Sequence, residues 1–165
     1  MGYLNSILAM TNFAQRAKEA GVDGLIMVNL PLEEAADLRQ TLSAEGMDLV
    51  SLIAPTTADR RAREIATTGS GFLYYVSLKG TTGSGALAVD EVAERMSFLQ
   101  TLTNVPICVG FGIKDAKSAA AVSAHADGVV VGSALVQLMA DSPDPATASQ
   151  RLQTAIADIR NGLDG

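Results

Sequence analysis

The chain has one cysteine, Cys108, and one histidine, His125, among 165 residues. No disulfide can close within it, and no Cys/His cluster offers a zinc site; both absences point to a reducing, cytoplasmic setting and to no bound metal. Basic residues are outnumbered, with 12 Lys and Arg against 18 Asp and Glu and a net charge of −6. A surface built to neutralise nucleic-acid phosphates or an anionic membrane is therefore excluded, and an anionic ligand would need a local site. No apolar run reaches the roughly 20 residues that span a bilayer. Met1 is followed by Gly-Tyr-Leu-Asn rather than by a charged leader and an apolar stretch, so no signal peptide is expected. What the chain does have is 48% hydrophobic residues, enough to bury a core as a single domain over residues 1–165.

Short apolar runs rich in β-branched residues recur with amphipathic stretches between them, the pattern of successive βα units. Strands are expected at Gly24 to Val28, Asp48 to Ile53, Gly71 to Val76, Val105 to Gly110 and Gly128 to Val131. Each run is apolar at both alternating positions, as in a parallel sheet covered by helices or closed into a barrel. Helices are expected from Ser6 to Ala20, Leu32 to Ala44, Ala58 to Thr67, Val89 to Leu102, Ala116 to Ala124 and Ala146 to Asn161. Pro31 ahead of Glu33 and Glu34 suits a helix start, and Gly21 and Gly46 suit helix ends. The echo of Val22-Asp23-Gly24-Leu25-Ile26 in Ala126-Asp127-Gly128-Val129-Val130 is what repetition of one βα unit would leave.

In parallel βα folds the loops leaving the carboxyl ends of the strands carry ligands. Three glycine-bearing loops fall there: Lys79 to Gly85, Gly110 to Ile113, and Gly132 to Ala134. Glycine lets backbone N–H groups approach a phosphate, and Gly132-Ser133 precedes a helix-prone stretch, Ala134 to Met139, whose amino end favours an anion. A tight turn is the competing reading of any one such loop; three on one rim favour phosphate binding. Tyr3, Tyr74 and Phe111 lie in or just after strands on the rim side and suit an apolar pocket for an aromatic ligand, with plain packing as the alternative. His125, near a helix end at the opposite rim, reads as a surface residue, and Cys108 as a small hydrophobe in a strand. Glu33 and Glu34 read as dipole-stabilising surface charges.

Together the blocks Gly2 to Asn5, Ala20 to Gly24, Leu30 to Glu34, Ala54 to Thr57, Tyr74 to Ser77, Thr82-Gly83, Val109 to Ile113 and Ala126 to Ala134 resemble the tryptophan synthase α chain family in order and spacing, over essentially the whole chain. The resemblance implies a phosphate-binding (β/α)8 barrel, an α/β TIM barrel, here incomplete, with about five full βα units plus the end of one strand. It implies the lyase step of tryptophan biosynthesis, in which indole-3-glycerol phosphate is cleaved to indole and glyceraldehyde 3-phosphate. No cofactor is implied for this chain; pyridoxal phosphate belongs to a partner β chain in an α2β2 complex. By matched position, Gly83, Gly112, Gly132 and Ser133 are phosphate ligands, and Tyr74, Phe111, Thr82, Ile53 and Tyr3 belong to the substrate pocket or its loop.

The resemblance also has gaps. The family's acid/base Glu and a second carboxylate, Asp, match positions ahead of Gly2, so no catalytic residue is expected within these 165 residues, and the chain alone is expected to turn over little substrate. Asn29 stands where the family usually has Asp, near the surface that communicates with the β chain. The alternatives are a non-catalytic phosphate-binding or β-chain-binding module and, ranked last, another phosphate-binding barrel enzyme such as an epimerase.

Overall fold

The computed structural model describes residues 4–77, 89–110 and 112–164. Five strands form one parallel sheet in sequential order: β1 (Gly24–Ile26), β2 (Asp48–Ile53), β3 (Leu73–Val76), β4 (Ile107–Gly110) and β5 (Gly128–Val130). The helices between them are α3 (Ala35–Ala44), α4 (Asp59–Thr68), α5 (Val89–Gln100) and α6 (Ala116–Ser123), with α1 (Leu4–Leu8) and α2 (Phe13–Glu19) ahead of β1 and α7 (Ser133–Ala140) and α8 (Pro145–Asp164) after β5. Parallel neighbours need such crossovers, and the run of five βα units follows from them.

The helices cover one face of the sheet. Leu73, Tyr75, Ile107 and Val109 point into a core with Ala62 and Ala66 of α4, Val92, Met96 and Leu99 of α5, and Ala119 and Val122 of α6. Leu25, Met27 and Leu49 meet Ala14, Ala17, Leu38 and Leu42 in a second cluster. Full burial of a side chain such as Met96 or Leu99 contributes about 1.5–3 kcal/mol. The opposite face is less covered: Ile26, Leu52, Val76, Cys108 and Val130 are only half-buried.

Two expectations are corrected. The stretch Ser6 to Ala20 is two helices rather than one, broken around Asn12, whose φ of 54° is left-handed. Asparagine tolerates that conformation better than most residues, while the apolar periodicity continues across the break and hides it. The stretch Leu32 to Ala44 opens with a 3-10 turn, Leu32–Glu34, before α3 begins. The remaining helices and strands stand within two residues of their expected ends, apart from the amino end of α5, which is the first described residue after 77, and the carboxyl end of α8, which runs three residues further.

Candidate functional site

Strand register sorts the inner face from the outer. Leu52 pairs with Tyr74 and Tyr74 with Cys108, so these three side chains share a face, together with Val76, Gly110 and Val130. This is the half-buried face, away from the helices. Ile53 pairs instead with Tyr75, and Tyr75 with Val109, and all three lie in the core with residues of α4 and α5. The pocket assignment of Ile53 is therefore corrected: Leu52, one residue earlier, is the β2 side chain that stands beside Tyr74. A single step along a strand reverses the side-chain direction, so an assignment off by one lands in the wrong layer.

Tyr74 is buried, and its ring lies across Gly110 so closely that a Cβ on that glycine would overlap ring carbons and the hydroxyl. Glycine at 110 is what lets an aromatic ring occupy the inner face at this level. Burial pushes the Tyr74 hydroxyl above its ordinary value, so it stays a neutral phenol. Cys108 is half-buried rather than enclosed, and its thiol is pushed up first by burial and then by the nearby Asp127 carboxylate.

At the carboxyl rim, β3, β4 and β5 end level with one another, with Val76 opposite Gly110 and Gly110 opposite Val130. The Ser77 N–H and hydroxyl both donate to the Gly110 carbonyl, at 2.9 and 2.8 Å, and tie the start of the loop after β3 to the end of β4. Gly112 lies two residues past Gly110 in the left-handed region, φ 79°, which glycine adopts without strain. Gly132 lies two residues past Val130 and is the residue from which α7 starts. Its carbonyl accepts from Leu135 and Val136, and no side chain caps the helix. The Ser133 and Ala134 amides then have no intrahelical acceptor. Gly112, Gly132 and Ser133 are all exposed. These three sequence-predicted residues thus leave the same ends of adjacent strands, while Tyr3, Thr82, Gly83 and Phe111 lie outside the described residues.

Among the described strand residues, the inner face carries one carboxylate, Asp48, and it is at the amino end of β2, packed against Gly24 and Gly71. The rim end has none. His125 is half-buried at the end of α6, where its carbonyl accepts from Gln100 at 3.3 Å. Glu33 is not a spare carboxylate: its two oxygens accept from Nη1 and Nη2 of Arg61, at 2.5 and 2.7 Å, and that pairing holds its carboxyl at about 2. Glu34 is exposed in the same turn. A cleft of about 190 Å³ between the 3-10 turn, α3 and α4 has Arg39 and Arg61 in its wall, but none of the rim glycines lines it.

The family model for the tryptophan synthase alpha chain matches residues 1–163. The chain belongs to the tryptophan synthase alpha chain family. It is 50% identical over 165 residues to the tryptophan synthase alpha chain of Chromobacterium violaceum, covering 99% of this chain and 63% of that relative. Among solved structures, tryptophan synthase subunit alpha from Legionella pneumophila superposes with a TM-score of 0.83 at 35% identity, covering 99% of this chain and 61% of its own. The tryptophan synthase a2b2 complex from Pyrococcus furiosus contains a chain that matches with a TM-score of 0.83 at 31% identity, covering 96% of this chain and 64% of its own. Against these members of the tryptophan synthase alpha family the five-stranded sheet is an incomplete (β/α)8 barrel, and the face bearing Leu52 and Tyr74 is its interior. No described helix is long and apolar enough to cross a membrane.

Proposed function

We propose that this chain supplies the phosphate- and indole-binding wall of a lyase subunit that cleaves indole-3-glycerol phosphate to indole and glyceraldehyde 3-phosphate. The phosphate sits on the backbone amides of Gly112, Ser133 and the start of α7, with Gly83 contributing from the loop after β3. The observation that carries this reading is the level ending of β4 and β5, which brings a left-handed glycine and an uncapped helix start to one rim. Exposed N–H donors and the positive end of the helix dipole together suit a doubly charged ester in an otherwise acidic protein. Tyr74 and Leu52 form the apolar side against which the indole ring packs, with Phe111 and Thr82 from the adjoining loops.

Cleavage requires protonation of the indole ring and removal of a proton from a substrate hydroxyl, so proton carriers must stand at the rim beside the bound substrate. The neutral Tyr74 phenol and the absence of a rim carboxylate among the described strand residues support a chain that binds substrate and by itself turns over little of it. Pyridoxal phosphate has no role in this step and belongs to a β-chain partner, which receives the indole.

Titration of inorganic phosphate by calorimetry tests the site. Charge-assisted N–H bonds contribute roughly 1.5–3 kcal/mol each. Gly112→Val, which strains the left-handed loop, and Ser133→Asp, which sets a carboxylate on the anion position, should each weaken phosphate binding about tenfold or more. Unchanged affinity in both variants overturns the assignment, and rapid indole release by the purified chain overturns the prediction of low turnover.

A further inference from the structure

Arg39 of α3 lacks a counter-charge. No acid stands three or four residues away along its helix, where the positions are Ala35, Ala36, Leu42 and Ser43. Among the described residues Arg39 makes no ion pair and no side-chain hydrogen bond, and its Nε is buried without a partner. Arg95 also has a buried Nε without a partner, but its terminal nitrogens reach Asp59 and the Thr57 carbonyl, at 2.6 and 2.8 Å. A guanidinium keeps its proton throughout the working pH range, so Arg39 cannot escape the cost of burial by becoming neutral. An arginine that merely lays its stem along apolar surface holds its polar head in water; Arg39 is half-buried and its Nε is not wet.

The cleft that Arg39 lines has a cause in the strand pairing. The β1–β2 ladder ends at Ile26 opposite Val50, while β2 runs on to Ile53 beside β3. Helices α3 and α4 both pack on β2 but touch each other little. The gap of about 190 Å³ that results is walled by Leu30, Leu32, Leu49 and Ile65 together with Arg39 and Arg61, and no acidic residue lines it. Arg61 is already engaged, because Glu33 of the 3-10 turn accepts from both of its terminal nitrogens and ties that turn to α4. The positive charge still open in the cleft is that of Arg39.

We propose that this cleft binds a small organic carboxylate, with the Arg39 guanidinium as its anchor and the apolar walls around its body. The Nε edge of a guanidinium makes two parallel N–H bonds to the two oxygens of a carboxylate, and such charge-assisted pairs are the strong ones. Leucine and isoleucine walls favour a hydrocarbon body over a fully hydrated inorganic anion. At about 30 Å³ for each water the gap holds about six waters, well below the roughly 300 Å³ of a drug-sized pocket, so the ligand is an acid of about six to ten non-hydrogen atoms. Neither Tyr74 nor any rim glycine lines the cleft, and the inference does not rest on which ligand the rim holds.

The test is a titration of the full 165-residue chain with sodium benzoate at constant ionic strength, followed by amide chemical shifts. Saturable shifts at Leu32, Arg39 and Ile65 are expected, with Gly112 and Ser133 unmoved. Benzamide, which has the same shape without the charge, should bind at least tenfold more weakly. Arg39→Gln should weaken benzoate at least tenfold with unchanged circular dichroism, and Arg39→Lys, which keeps the charge but loses the fork, should recover only part of the affinity. Saturating benzoate should also raise the urea midpoint of the natural chain and leave that of Arg39→Gln where it was. Should Arg39→Gln fail to fold, the contrast between benzoate and benzamide on the natural chain decides alone. The proposal is overturned by equal binding of benzamide, by undiminished benzoate affinity in Arg39→Gln, by shifts that do not saturate, or by shifts at the rim amides in place of the cleft.

Discussion

Replacing Gly110 with alanine places a methyl group in the volume already filled by the Tyr74 ring. Tyr74 is 6% exposed, so the ring has little room to swing aside without moving its neighbours on the inner face. Overpacking of this kind costs about 1–3 kcal/mol, and with two aromatic atoms overlapped a value of about 2 kcal/mol is expected. At a urea dependence of about 2 kcal/mol per molar, the unfolding midpoint falls by about 1 M. The decisive measurement is a double-mutant cycle followed by circular dichroism. In a Tyr74→Leu background the ring is gone, and Gly110→Ala should cost under about 0.5 kcal/mol, leaving a coupling of about 1.5 kcal/mol between the two positions. If the alanine costs the same in both backgrounds, the ring is not what excludes a side chain at 110, and the inner face is not packed as described.

Three further outcomes follow from named contacts. The Arg61 guanidinium holds the Glu33 carboxyl at about 2, below its ordinary 4.5, so the pair's contribution is present above about pH 4.5 and is lost as pH falls toward about 2. The stability gap between the natural chain and Glu33→Gln should narrow below about pH 4.5, and it should be small and salt-sensitive because Glu33 is 65% exposed; a gap constant from pH 7 to pH 3 contradicts this. Arg95, 17% exposed, donates to Asp59 at 2.6 Å and to the Thr57 carbonyl at 2.8 Å and lies 4.9 Å from the centre of the Phe98 ring. Arg95→Met should lower stability by about 1–2 kcal/mol by urea unfolding, with Arg95→Lys restoring under half, and a loss under about 0.5 kcal/mol would show that the contacts are replaceable. The raised Cys108 thiol should alkylate more slowly at pH 8 in the native chain than in the urea-unfolded one, and faster native reaction would contradict its burial.

The echo of Asp23-Gly24 in Asp127-Gly128 shows how far local pattern reaches. Both copies open a strand after a helix, as repetition of one unit requires. Their side chains do different work. Asp127 accepts from the Ile107 N–H at 2.8 Å and clamps β5 to β4, whereas Asp23 is exposed and meets Lys18 at 3.7 Å. The difference comes from the neighbouring strand, which no short motif encodes. The break at Asn12 was hidden for a related reason: apolar spacing persists through Met10 and Phe13, and a single left-handed residue turns the chain without disturbing that spacing.

Five apolar runs alternating with amphipathic stretches determined, without any coordinates, that the chain builds parallel βα units and that Gly112, Gly132 and Ser133 follow strand ends. Those features depend on local periodicity and on glycine's lack of a side chain, both written residue by residue. Which side of each strand faces inward was settled only in three dimensions. Every strand is apolar at both alternating positions, so hydrophobicity could not separate Leu52 from Ile53; only the pairing of Leu52 with Tyr74, and the helices packed over Ile53, assigns one to the barrel interior and the other to the outer core.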